Sequence, residues 1–243
     1  MPVFFQKNFI WIIVVIFVAQ NFMRGGFSDP LSFFLNILYL APGIIIGITV
    51  HEFAHAYSAY KLGDNTPKIQ GRVTLNPLAH IDPIGLICLF LGGFGWGKPV
   101  EVNSYNFKKQ RKDELIVDLS GVITNFIFAV LFTIILKLLI VFSSNNIALY
   151  SNSIFTAIQT MIFYAIQMNL VLMIFNLIPI PPLDGFGVVT NLFDLRKTAW
   201  YGMVYTYGNI ILLALIFLGF VSKILSPVLS YIIEFLFKIF DIY

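Results

Sequence analysis

Long apolar runs separated by short polar stretches dominate this chain. Residues 3–23 are apolar apart from Gln6, Lys7, Asn8, Gln20 and Asn21, long enough for one membrane-spanning helix. No A-x-A-like cleavage site follows, which favours an uncleaved helix over a signal peptide. Residues 31–62 form the second run, with a kink expected at Pro42-Gly43. Residues 114–142 form the third, and residues 153–178 the fourth, broken by Pro179, Pro181 and Pro182. A fifth runs over 201–221 and a sixth over 224–240, the latter split by Pro227. Between the second and third runs the pattern changes. Residues 63–82 are polar, and the loose alternation over 68–75 predicts a short hairpin or edge strand at the membrane. Residues 83–96 are apolar but too short and glycine-rich to span, which suits a re-entrant segment covered by protein or water. The expected architecture is an all-α polytopic membrane protein: about six transmembrane helices, a re-entrant segment and a short membrane-associated hairpin, in a single integral-membrane domain over 1–243.

Composition agrees. The 243 residues are 58% hydrophobic and 11% charged, against about 25% charged in soluble domains, and mean hydropathy is +0.87. The net charge of +3 is too small to imply a nucleic-acid partner; the lipid bilayer is the implied surrounding. The basic residues instead report topology. With six spans, one side holds Lys7, Lys61, Lys68, Arg72, Lys98, Lys108, Lys109, Arg111, Lys112, Arg196, Lys197 and Lys238. The other holds Arg24 and Lys223, with Lys137 near it. Positive charge in short loops marks the cytoplasm, so both termini are expected there, in a multi-pass protein of the cell (plasma or inner) membrane. The single Cys88 excludes a disulfide framework and a cysteine-rich zinc site. No feature of the sequence specifies an oligomeric state.

The second apolar run carries His51-Glu52-Phe53-Ala54-His55. Helical residues four apart share a face, so His51 and His55 can offer two imidazoles to one metal ion, with the Glu52 carboxylate beside them as a base. This is the donor set of zinc hydrolases, which require a further protein ligand from elsewhere. Ionisable groups at membrane depth are costly and point to function. His80, the only other histidine, and Asp184, beside the three prolines, are the candidates for that ligand.

Together with the histidine motif, Ser120-Gly121-x-x-x-Asn125 and Asn176-Leu177-Ile178-Pro179-Ile180-Pro181-Pro182-Leu183-Asp184-Gly185 resemble the signatures of the site-2 protease family of intramembrane zinc metalloproteases. Arg72-Val73-Thr74-Leu75-Asn76-Pro77, His80-Ile81-Asp82-Pro83-Ile84-Gly85 and Gly95-Trp96-Gly97-Lys98-Pro99-Val100 look like its compact bacterial and archaeal branch. The resemblance covers about residues 40–190, with a catalytic core expected over about 31–190. It implies one Zn2+ per chain held by His51, His55 and Asp184, Glu52 as catalytic base, and a transmembrane protein as substrate. It also places Asn125 at the site, either as an amide donor to the scissile carbonyl or oxyanion or as interhelical glue. His80 and Asn176 are accessory candidates: His80 for gating, a second metal or a turn, and Asn176 for bonding the unwound proline-rich backbone. Two departures stand out. No added PDZ or cystathionine-synthase-like domain is legible, and Phe186 follows Leu-Asp-Gly where the family often has Gly. The competing class is a non-catalytic membrane scaffold or a zinc-handling membrane protein; a Glu beside a single buried site favours hydrolysis.

Overall fold

The computed structural model describes residues 29–92, 95–144 and 152–242, together with Ala19, Phe22 and Leu149. The first expected span, 3–23, lies almost wholly outside the described residues.

Among the described residues four helices are long and apolar enough to cross a membrane: α1 (Pro30–Lys61), α4 (Gln110–Ser144), α5 (Ser153–Asn176) and α8 (Phe220–Ile239). At 1.5 Å per residue even the shortest, 20 residues, reaches about 30 Å, the hydrocarbon thickness of a bilayer. Three of them start at side chains that take up otherwise unpaired N–H groups. Asp29 accepts from Leu31 and Ser32 at α1, and Asn152 from Ile154 and Phe155 at α5. At α4 the Asp113 carboxylate reaches back to the Lys109 N–H at 2.8 Å. The shorter helices are α2 (Thr66–Ile69), α3 (Pro83–Gly92), α6 (Asp184–Phe193) and α7 (Tyr201–Phe217).

Helices α1, α4 and α5 pack on one another in a three-helix core. Ile166 and Leu170 of α5 and Ala129 of α4 are fully enclosed in it. Small residues bring the backbones together, as expected where packing rather than water exclusion drives association: a methyl group on Gly43 of α1 would lie 2.7 Å from Ala165 Cα of α5. Helix α6 lies against α4, and α8 covers the other side of α5, where Phe237 meets Phe163 at 6.0 Å. Large apolar side chains such as Leu138, Phe142 and Ile158 face outward, the inverse of a soluble bundle and the surface that lipid covers.

Two expectations are corrected. The hairpin over 68–75 is absent; among the described residues there is no strand, only one antiparallel bridge, Ile81 to Gly97. Residues 66–69 form α2 instead, because Asp64 accepts from both the Thr66 N–H and its hydroxyl, and Pro67 suits the first helical turn. Gly71 then turns the chain at φ +69°, and Asn76 caps a 3₁₀ turn over Pro77–Ala79. Second, Pro227 does not split the last helix: it lies on an exposed face, and α8 runs through it. The boundary falls earlier, at Gly219, whose φ of +74° reverses the chain between α7 and α8. Within the expected re-entrant segment, Pro83–Gly92 form α3, started by the Asp82 carboxylate accepting from Ile84 and Gly85. Its ten residues cover about 15 Å, half a bilayer. Helix α1 is continuous across Pro42.

One carboxylate ties the polar loops to the bundle. Asp64, fully buried, accepts from Thr66 twice, from Asn103 N–H at 2.7 Å and from the Asn106 amide at 2.7 Å. Burial pushes its carboxyl pKa up, but the hydrogen bonds from Thr66, Asn106 and Asn103 outweigh this and hold it below its ordinary value. A depressed carboxyl stabilises the fold fully above its ordinary value of about 3.9, and that contribution is lost as pH falls through the folded-state value. Asp64→Ala is expected to destabilise the protein by about 2–3 kcal/mol, since several bonds to a charged acceptor are lost together. A thermal melt of the purified variant in detergent checks this; an unchanged midpoint at neutral pH would remove Asp64 as the anchor.

Candidate metal centre

His51 and His55 project from α1 toward α4, one turn apart. Their rings meet edge to face with centroids 4.6 Å apart. Each is held at Nδ1. His51 Nδ1 is 2.6 Å from Asn125 Oδ1, and His55 Nδ1 is 2.8 Å from the Val117 carbonyl. These partners fix the tautomers. A carbonyl only accepts, so His55 carries its proton on Nδ1. Asn125 is oriented by its own neighbours: its amide nitrogen donates to the Gly47 carbonyl and to Asn169 Oδ1, both at 3.0 Å, while the Asn169 nitrogen donates to Ala165 O. Only oxygen is left to face His51, which therefore donates from Nδ1 as well. Both Nε2 atoms are left with bare lone pairs.

Those lone pairs meet a third acceptor. His51 Nε2 and His55 Nε2 are 3.0 Å apart, and Asp184 Oδ2 lies 3.2 and 3.3 Å from them. Asp184 Oδ2 is buried without a hydrogen-bond donor. Three acceptors converging with no proton among them repel one another, and a cation between them relieves all three at once. The spacing fits: ligands about 2.0–2.1 Å from a tetrahedral zinc lie about 3.3 Å apart. Among the described residues this is the one group of His, Cys, Asp and Glu side chains that can hold a metal ion.

Space is made by Gly121. A methyl group there would sit 2.5 Å from His55 Nε2 and 2.7 Å from His51 Cε1. Asp184 arrives as the first residue of α6, after a turn built by Ile180 N–H to Ile178 O and Leu183 N–H to Ile180 O. A helix N-terminus is a favourable place for a carboxylate. Phe186, at the departure from the family pattern, is buried and stacks on Tyr201 at 5.6 Å, tying α6 to α7.

Glu52 faces the other side of the pair. Its Oε2 accepts the Val100 N–H at 3.0 Å, from a strap over 95–103 that passes beside α1. The strap is held by Lys98 N–H donating to His80 O, and by the Arg72 guanidinium donating to the carbonyls of Ala79 and Lys98.

Three further candidates have structural partners, which for Asn125 and His80 are those of the interhelical and turn alternatives. Asn125 is fully buried with every polar atom engaged inside the protein, so it has no N–H for a substrate oxyanion; it orients His51 instead. His80 is also fully buried and lies outside the cluster, its Nε2–H donating to Thr74 O at 2.8 Å. Asn176 donates to Leu172 O in its own helix, not to the proline-rich turn.

Sequence reasoning missed a polar stripe on α4. Arg111, Glu114, Asp118, Gly121 and Asn125 recur at steps of three and four, on one face. Arg111 donates to the Asn191 and Leu192 carbonyls at the end of α6, Glu114 pairs with Arg196, and Asp118 accepts from the Asn191 amide at 3.0 Å. This network presses the helix bearing Asp184 onto the helix that orients the histidines. The spacing was visible in the sequence; its partners, some 80 residues away, were not.

Fold and site together define a multi-pass helical membrane protein with a His-His-Asp cluster that could hold a metal ion and an adjacent carboxylate. Residues 39–219 match peptidase family M50. The chain is 40% identical over 192 residues to a Bacillus subtilis (strain 168) protein named "Putative zinc metalloprotease YwhC", covering 79% of this chain and 86% of that one. It is 29% identical over 177 residues to "Putative zinc metalloprotease Rip2" of Mycobacterium tuberculosis (strain ATCC 25618 / H37Rv), covering 70% of this chain and 63% of that relative. Over 166 residues it is 30% identical to the Rip2 of Mycolicibacterium smegmatis, spanning 59% of it. No solved structure gives a significant match. The chain belongs to peptidase family M50.

Gly121→Ala is expected to abolish metal retention, because the added methyl overlaps both imidazoles. Asn125→Ala is expected to weaken it by about 10–100-fold, the usual cost of losing a group that orients a ligand. Elemental analysis and chelator competition on folded, purified variants check both; wild-type metal content in Gly121→Ala would overturn the geometry.

Proposed function

We propose that the chain is a zinc metallopeptidase that hydrolyses peptide bonds in or near the transmembrane segments of other membrane proteins. The observation that carries this reading is Asp184 Oδ2, buried without a donor against two bare imidazole nitrogens, with Glu52 one residue from His51. In this reading His51, His55 and Asp184 hold one Zn2+. When bound, the ion supplies Lewis acidity and the means to ionise a water near neutral pH.

The chain's own groups do the rest. Glu52 accepts a proton from the attacking water and delivers it to the leaving amine nitrogen. The Val100 N–H holds the carboxylate in place beside the histidines. Asn125 and the Val117 carbonyl hold both imidazoles in the tautomer that leaves Nε2 free. A substrate helix must unwind before its carbonyls are reachable, and the non-helical strap over 95–103 offers backbone groups beside Glu52 for an extended strand to meet. The topology belongs to the same proposal: span 3–23 and the four long helices cross, with α3 re-entrant, the N-terminus cytoplasmic by the positive-inside rule, and 1–243 a single catalytic domain. Lys137, near the far end of α4, pairs with Asp241, which supports a C-terminus on the side opposite Lys108 and Lys112, against the expectation of two cytoplasmic termini.

Glu52→Gln keeps the shape and the histidines but removes the base. Cleavage of a single-span substrate by the purified protein should fall by about 10²–10⁴ while zinc content stays at the wild-type level; near-normal turnover would sink the mechanism and favour a scaffold or zinc-handling role. Asp184→Ala should lose the zinc itself. For topology, a tag at the N-terminus should be protected in intact cells, and tags within 145–151 and at the C-terminus should be accessible from outside; a protected C-terminus would overturn this arrangement.

A further inference from the structure

A cavity of about 400 Å³ opens where α1 ends and α4 begins. Four lysines line it: Lys61, the last residue of α1; Lys108 and Lys109 from the loop; and Lys112, in the first turn of α4. All four are exposed. Among the described residues none has a carboxylate within salt-bridge distance, although Arg111 and Lys197 pair with Asp194, and Arg196 with Glu114. The one acid in the wall, Asp113, is buried and accepts the Lys109 backbone N–H. Lys61 rests over the Tyr57 ring at 5.3 Å, a contact that leaves its ammonium free to bind an anion.

The cavity does not end on polar protein. Ile116 belongs also to a second groove of about 460 Å³ between the same two helices, lined by Val50, Phe53, Ile123 and Phe128 among others. That groove is predominantly apolar; its hydroxyls, on Tyr57, Ser58, Ser120 and Thr124, are too few to pair the backbone of an extended chain, and Ser120 already donates to Val117 O. A polypeptide laid there would leave backbone groups unpaired at membrane depth, which costs several kcal/mol each. A hydrocarbon chain has no such groups. Cations at the interface joined to an apolar groove along the helices are the two halves of an amphiphile site, and basic pockets between spanning helices take anionic headgroups.

We propose that this cleft binds one anionic phospholipid, its phosphate on Lys61, Lys108, Lys109 and Lys112 and an acyl chain in the groove between α1 and α4. The lipid would bridge the helix that carries His51 and His55 to the helix that orients them. The inference rests on the membrane-spanning fold alone, not on the peptidase reading.

The test measures binding, not activity. Native mass spectrometry of the purified full chain in detergent would count retained phosphatidylglycerol and phosphatidylcholine of identical acyl chains. Wild type should retain phosphatidylglycerol at least about tenfold better, since each lysine near the headgroup adds to the attraction. The quadruple variant Lys61→Gln, Lys108→Gln, Lys109→Gln, Lys112→Gln should lose that preference. Lys223→Gln with Lys238→Gln should keep it, and Ile123→Trp, which fills the groove, should weaken binding of the intact lipid. Unchanged zinc content and melting temperature show that each variant is folded. Retained preference in the quadruple variant would overturn the proposal. So would equal competition by glycerophosphate, which marks a free-phosphate site, or displacement by a synthetic transmembrane peptide with no lipid preference, which marks a peptide groove.

Discussion

Everything at this site depends on two protons being elsewhere. A histidine offers a metal a lone pair only when the other ring nitrogen keeps the hydrogen. Here both imidazoles are forced into that state, by the Val117 carbonyl and by the Asn125 oxygen. The Asn125 oxygen can face His51 only because its nitrogen is drawn to Gly47 and Asn169. The three helices of the core thus act together: α1 supplies the rings, α4 the amide and the carbonyl, and α5 the residue that turns the amide the right way. In an apolar surrounding each of these hydrogen bonds is costly to leave unmade, so the polar chain across the core is as much a determinant of helix register as the packing around it.

The acid has a different anchor. Asp184 begins a ten-residue helix that follows a proline-rich turn, with no long element of its own to hold it. Its position is set from the far end, where Arg111 takes up the last carbonyls of α6 and the Glu114–Arg196 pair and the Asp118–Asn191 bond close the flank. Helix α4 is therefore the spine of the site: one stripe along it orients the imidazoles at the inner end and clamps the acid-bearing helix at the outer end. Gly121, between the two, must be the smallest residue because the metal-facing nitrogens fill the volume a side chain would need.

Membership of peptidase family M50 gives this geometry its chemical setting, a metallopeptidase embedded in helices that cross the bilayer. Glu52 is held by a strap whose own support, Arg72 and the His80 backbone, comes from the polar loop between α1 and α4. That loop was the least regular part of the pattern and is the part that frames Glu52.

Much was legible without coordinates. The spans of α1, α4 and α5 follow from apolar run length, because a bilayer leaves a buried backbone little choice but a helix. The pairing of His51 with His55 follows from helical periodicity, and Asp184 from the cost of a carboxylate near membrane depth together with the family resemblance. What the linear pattern misread was a short element decided by one side chain: the turn of helix at 66–69, governed by Asp64. The role of Asn125 was beyond the sequence for a deeper reason. An amide can donate or accept, and which it does depends on Gly47 and Asn169, residues 78 and 44 positions away. Residue types and spacing along one helix determined which groups could bind a metal; only the packing of three helices decided where their protons sit and which way each amide faces.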